Sequence, residues 1–498
     1  MLRFWRNPLL LLHVRSDLRP ARAVMAVGIA LIVCVLIGVG CWSGNSDNVP
    51  VFWSEFYGSL LAAQFAFLAV WSASMCGQAV AQERQMKTFD FLKTTRLTSA
   101  EIMVGMVMGA PIVAYFIVAC SLPITIVAGL MGGVHLSAIF GSIVLLVFFN
   151  LFYSLVALLA SMLVEKSSSG AIGILGLIAN LFFLSFMNGP FKGFVAISVI
   201  PALISLHHLH IAFGHLSPMV FGVAVPCLAL SLVLYVLLGA WIVLMILRNL
   251  KRDLPEIQLL SRWQCVGLAA FWNLLFYAFL DTRALTLTYE THPNSVAGYA
   301  VEGNALFLFL IGLAALSPHE KLKVWWRKWN GGECSYFAPD GLPWPWLVPA
   351  AAIGFAMLAA EALWMRSDIP LDDWRLGVAA LAFAAFLVFT ARDILFLQWC
   401  LLTRMKHPVM KGILLIALYD AAVSLLSLLV ALIGTPSAFH ALSLLTPFVL
   451  ISQLDKPDFA PAFTILGIAL QAGVSFLILL AIQKRLARPV HAPVAGEG

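Results

Sequence analysis

Three groups of residues carry types and spacings that could do chemistry. The first is a set of charges inside apolar runs: the adjacent pair Arg392–Asp393, and Asp420. A charge inside a bilayer-spanning helix is costly, so such residues pair across a bundle or serve ion or proton movement. The second is His207, His208, His210 and His215, four imidazoles within nine residues. Imidazole nitrogens suit zinc or copper and titrate near neutral pH. However, His207 and His208 cannot easily share a metal from one helical face, and no carboxylate is adjacent. Structural or interfacial histidines are the simpler reading, and no metal site is assigned. The third is the charged, aromatic stretch 82–101, QERQMKTFDFLKTTRLTSAE. Met86, Phe89 and Leu92, with Phe91 beside them, fall close to one helical face; Glu83, Arg84, Lys87 and Asp90 fall on the other. The spacing predicts a short amphipathic helix over 82–96, lying on a membrane surface. Thr98-Ser99-Ala100-Glu101 then makes a capping box that starts the next helix.

Other chemical patterns fail. HEKLK from His319 lacks the second His of a zinc protease, and no Ser-His-Asp or paired-carboxylate set emerges. The eight Cys are scattered singly with no C-x-x-C pair, so neither a zinc site nor a disulfide framework is expected. No G-x-x-x-x-G-K-S/T occurs, so the sequence encodes no P-loop for ATP phosphates.

The elements that must position these residues follow from composition. Hydrophobic types make up 62% of the 498 residues and charged types 11%. A soluble domain is roughly 45–50% apolar and about 25% charged. A water-soluble enzyme, a disordered chain and a nucleic-acid-binding protein are therefore excluded. Apolar runs long enough to span a bilayer fall near 23–42, 57–81, 102–131, 137–164, 171–187, 219–247, 263–280, 303–317, 346–364, 376–402, 410–434 and 460–483. All are read as helices, which satisfy their own backbone groups in lipid. Arg3, Arg6, Arg15, Arg19 and Arg22 precede the first run, which reads as a signal anchor with a cytoplasmic N-terminus. With that orientation, 24 of the 30 Lys and Arg fall on the cytoplasmic side, five on the other, and Arg392 within a span. This bias fits the positive-inside rule, an even span count and cytoplasmic termini.

The two halves follow one plan at an offset of about 235–246 residues. Each opens with a basic patch, and its second span runs into a charged aromatic segment begun by Glu83 or Glu320. Each passes through a Pro-marked outer stretch, 188–218 or 436–458, and closes on a basic stop. The expected architecture is an all-α polytopic membrane protein of about twelve helices in two parallel six-helix repeats. Its parts are a first half over 1–252, a linker over 253–262, a second, diverged half over 263–490 and a tail over 491–498. Asn150, Asn180, Gln64 and Gln471 read as interhelical hydrogen-bond formers. Trp325, Trp326 and Trp329 read as an interfacial aromatic belt.

The stretch ERQMKTFDFLKTTRLTSAEIMVGMVMGA resembles the signature of the type-2 permeases of ATP-binding-cassette (ABC) exporters. Glu83, Lys87-Thr88, Phe89-Asp90-Phe91-Leu92, Thr95-Arg96-Leu97-Thr98 and Glu101-Ile102 with Gly105 hold the matching places. Arg96 stands where Pro is usual, and Met106 where Lys is usual. NPLLLLHVRSDLR, led by Asn7-Pro8, is similar to that family's N-terminal interfacial helix. The resemblance covers about residues 1–250 and reaches the second half through the repeat. It implies that 82–96, and 319–330 in the second half, are coupling helices that dock on ATP-binding subunits. Glu83, Arg84, Lys87, Phe89, Asp90 and Leu92 would serve the first, and Glu320, Lys323 and Trp326 the second. It implies two ATPase partners holding the ATP and magnesium, no cofactor in this chain, export of a substrate, and a place in a bacterial inner membrane. The stretches 188–218 and 436–458 would be the family's re-entrant helices. The other expected class is a proton- or ion-coupled secondary transporter, which would use Asp420 or Asp393.

Overall fold

The computed structural model of the chain describes residues 7–45, 48–163, 178, 192–201, 203, 218–252, 257–279, 296–338, 340–364, 376–403, 408–433, 445 and 461–487. Among the described residues, nine helices are long and apolar enough to cross a bilayer. A tenth candidate is the pair Gly303–Ala314 and His319–Asn330, bent by 84°. The protein is helical and multi-pass. The expected run 171–187 apart from Ile178, the four histidines and most of both outer stretches lie outside the described residues. The chain divides into two compact units, Met1–Leu254 with Ala278–Asp281, and Pro255–Tyr277 with Thr282–Gly498.

The first unit opens with α1 (Pro8–Asp17), whose N-terminal amides at Leu9 and Leu10 donate to Asn7 Oδ1. α2 (Pro20–Asn45) follows. α3 (Val49–Phe67), a π-helical turn over Leu68–Ser72 and α4 (Ala73–Gln85) form one 37-residue rod. It is longer at both ends than the expected 57–81. Then come α5 (Phe89–Thr94), α6 (Ser99–Gly109), α7 (Ile112–Met131) and α8 (Leu136–Leu163). The expected span 102–131 is thus two helices. Pro111 at the join lacks an N–H and clashes with the preceding turn, which breaks the ladder. Gln64 donates to Ser121 Oγ and Thr125 Oγ1 at 2.9 and 2.8 Å, tying α3 to α7 as an interhelical amide should. Gly105 and Gly109 let α1 lie against α6: an added Cβ would come within 2.7 Å of Leu9 Cβ or His13 Cδ2.

The expected span 219–247 starts late, at α9 (Cys227–Asn249). Before it, β1 (Met219–Val220) and β2 (Val223–Ala224) pair antiparallel. Phe221 and Gly222 join them with φ of 49° and 75°, the two-positive turn that hairpin twist favours.

The second unit contains α10 (Arg262–Ala278, all but its last residue), α11 (Val296–Ala314), α12 (His319–Asn330) and α13 (Leu347–Trp364). α14 (Leu376–Leu401), α15 (Pro408–Ile433) and α16 (Pro461–Leu486) complete it. α14 is the enclosed helix, packed on α11, α13, α15 and α16. α15 and α16 leave most of their apolar surface exposed, as lipid-facing helices do.

Candidate functional site

The segment after α4 is built by a reversal, not by one amphipathic helix over 82–96. α4 ends in a Schellman motif: Thr88 N–H donates to Glu83 O at 3.0 Å and Lys87 N–H to Arg84 O at 3.1 Å. The motif puts Lys87 at φ 59°, a left-handed conformation that ends the helix. The helix that follows, α5, has six residues only. Its Phe89 and Leu92 are buried against Val80 of α4, Ile102 and Met106 of α6, Leu158 of α8 and Ile246 of α9. Met86 and Phe91 are 54% and 73% exposed, so only two of the four apolar residues face inward.

The charged residues brace this corner. Arg84 Nη1 donates to Met162 O at 2.8 Å, and its guanidinium lies 5.0 Å from the Phe89 ring centre. Lys93 sits 5.2 Å from the same ring and 3.0 Å from Asp90. Glu83 Oε2 accepts from the Thr88 hydroxyl. The capping box is complete: Glu101 N–H donates to Thr98 Oγ1, while Thr98 N–H and its hydroxyl donate to Glu101 Oε2. Those two bonds from Thr98 hold the Glu101 carboxyl below its ordinary pKa. Lys251, just past α9, donates to Leu97 O at 2.6 Å, and Asn7 Nδ2 to Glu101 O at 2.6 Å. Five helices therefore converge on one short loop.

In the second unit the charged aromatic segment expected from Glu320 onward is α12. Pro318 starts it, and Gly332 at φ 75° ends it in the same Schellman pattern, with Glu333 N–H on Lys328 O at 2.8 Å. Leu322 and Trp325 are buried against Leu342, Leu395, Leu402 and Ile482. Trp326 and Trp329 are half-buried, with ring centres 5.1 Å apart. Glu320, Arg327 and Lys328 are exposed, and Lys323 is half-buried. Burial and the Lys323 charge hold the His319 imidazole below its ordinary pKa.

The corner before α12 rests on a residue that charge sorting treats as ordinary cytoplasmic charge. Arg262 is fully buried. Its guanidinium donates to Ala315 O, to Ser317 Oγ at 2.6 Å and to Gly341 O at 2.7 Å. Gln398 of α14 closes the knot, donating to Ser317 O at 2.9 Å and accepting from Ser317 N–H at 3.0 Å. Polar types next to the Ser-Pro break at 317–318 are the only signal of this cluster in the sequence.

The intramembrane charges lie on α14 and α15. Arg392 and Asp393 pair with each other, Nη2 to Oδ1 at 2.7 Å. Arg392 also crosses to α16, donating to Gln471 Oε1 at 2.9 Å, and reaches Leu445 O at 3.3 Å. Its guanidinium lies 5.2 Å from the Tyr419 ring centre, and the Tyr419 hydroxyl donates to Leu445 O at 2.9 Å. Asp420 is buried on α15. The Arg392–Asp393 pair faces a cavity of about 520 Å³. Among the described residues, no cluster of three or more His, Cys, Asp or Glu could hold a metal ion. No family model, curated protein or solved structure matches the chain.

Proposed function

We propose that the chain is the membrane-spanning permease of an ABC exporter of the type-2 kind, a fused tandem of two six-span halves. Two ATP-binding subunits carry the ATP and magnesium, and their closure drives export of a substrate across a bacterial inner membrane. The observation that supports this most is the construction of α5. Phe89 and Leu92 anchor it in a core shared by α4, α6, α8 and α9, while Met86, Lys87, Asp90 and Phe91 face outward. A partner holding the outer face would move four helices at once. Within this reading Phe89 and Leu92 transmit the load, Lys87 and Asp90 meet the partner, and Glu83 and Arg84 stiffen the turn. α12 plays the same part in the second half through Glu320, Lys323 and Trp326.

The test is co-purification. The chain should bring down a P-loop ATPase, and Phe91→Asp, on an exposed position, should abolish the association without unfolding the chain. The rival reading, a proton- or ion-coupled transporter, draws on the Arg392–Asp393 pair at the cavity and on Asp420. Transport driven by a pH gradient in vesicles free of any ATPase would establish it and sink the permease reading.

A further inference from the structure

The cavity in the second unit has a defined polar end. Its volume, about 520 Å³, is that of a small-molecule site. Leu470 and Val474 of α16 and Leu415 of α15 line it and are also 46%, 37% and 50% exposed, so it is reached from the surrounding lipid. At the polar end nearly every donor is already used. Arg392 Nε and Nη2 both end on Asp393 Oδ1, at 2.8 and 2.7 Å. Nη1 is spent on Gln471 Oε1 and Leu445 O, and the Tyr419 hydroxyl on Leu445 O. The unspent group is an acceptor: among the described residues Asp393 Oδ2 has no hydrogen bond, on a residue only 7% exposed. A carboxylate oxygen on a buried residue, facing the cavity without a protein donor, is costly, and a ligand donor would relieve that cost.

We infer that this cavity binds a single-chain lipophilic amine, its ammonium on Asp393 Oδ2 and its alkyl chain along Leu415, Leu470 and Val474. An anionic amphiphile of the same length is disfavoured. Arg392, the cation at the site, has its bonds directed to protein acceptors, and the free oxygen would repel a carboxylate. The inference concerns binding alone and does not depend on any ATPase partner.

Equilibrium dialysis of labelled dodecylammonium tests it, with the full chain in phosphatidylcholine nanodiscs and empty nanodiscs as the partition control. The chain should bind dodecylammonium above the control and at least tenfold more tightly than dodecanoate. Asp393→Asn keeps an oxygen for Arg392 and removes the charge; it should weaken amine binding at least tenfold. Val474→Trp fills the cavity and leaves the charged pair in place; it should remove binding. Dodecanoate binding as tight as the amine, or amine binding at the empty-disc level, overturns the inference. So does undiminished binding in Val474→Trp, which decides the matter even if Asp393→Asn does not fold.

Discussion

Two buried guanidinium groups in the second unit show how a residue's chemistry is set by what its donors meet. Arg392 spends its donors on one carboxylate, one amide and one carbonyl, and so marks a polar spot beside a cavity. Arg262 spends its donors on two carbonyls and a hydroxyl, and so acts as a clamp between α10, the end of α11 and the loop at Gly341. Removing Arg262 takes its donor from the Ala315 carbonyl and one of two bonds from Gly341 O, which still accepts from the Ser317 hydroxyl at 2.9 Å; a buried acceptor left without a donor costs about 1–3 kcal/mol. Arg262→Ala should therefore destabilise the second unit by about 3 kcal/mol, read as a lower Tm by tryptophan fluorescence in detergent. Arg262→Lys keeps the charge but loses the planar fork, so its Tm should lie between the two. An unchanged Tm in Arg262→Ala would show that the clamp carries no load.

At the scale of elements, the loop between α4 and α6 depends on its cap. The Glu101 carboxyl is held below the ordinary carboxylate range, so the folded cap prefers its charged form. Its contribution is full above about pH 4.3 and is lost as pH falls through the depressed folded value. The first turn of α6 should therefore open in acid. Thr98→Ala should open it at neutral pH, at a cost of about 1 kcal/mol. Hydrogen exchange at the Glu101 and Ile102 amides, referenced to α7, reads both effects; protection unchanged by acid and by substitution would refute the cap. This box was legible in the sequence because it needs only two residue types at a fixed spacing. The helix before it was not. Its apolar spacing suits an amphipathic helix over 82–96, yet nothing in residue type marks Lys87 as left-handed, since Gly is the usual choice there. The same limit hid the Phe221–Gly222 turn behind an apolar run. Pro111 was visible, but a continuous apolar stretch from 102 to 131 outweighed a single proline.

At the scale of the molecule, helical and multi-pass architecture was legible because composition alone forces it: few charges, long apolar runs and no soluble stretch. The polar contacts were less so. Gln64 and Gln471 could be named as interhelical residues from type and depth, but their partners required the packing. Arg262 escaped because sorting basic residues by side is blind to burial. The distribution of basic residues has one consequence for the loops beyond the described helices. If twelve spans with a cytoplasmic N-terminus place 24 of 30 basic residues on one side, the parity of spans puts Lys87 and Arg327 on that side and the β1–β2 hairpin on the other. The hairpin's side depends on 171–187 crossing the bilayer. Val223 is 66% exposed, a position open to a reporter. In a variant lacking native cysteines, Val223→Cys should react with an impermeant maleimide added outside intact cells. Lys87→Cys and Arg327→Cys should react only after the membrane is opened. If Val223→Cys is shielded together with Lys87→Cys, then 171–187 does not cross. The first half would then contain an odd number of spans, and the second half would be inverted relative to it rather than parallel. That arrangement would remove one of the two proposed docking sites, because α5 and α12 could no longer face the same compartment.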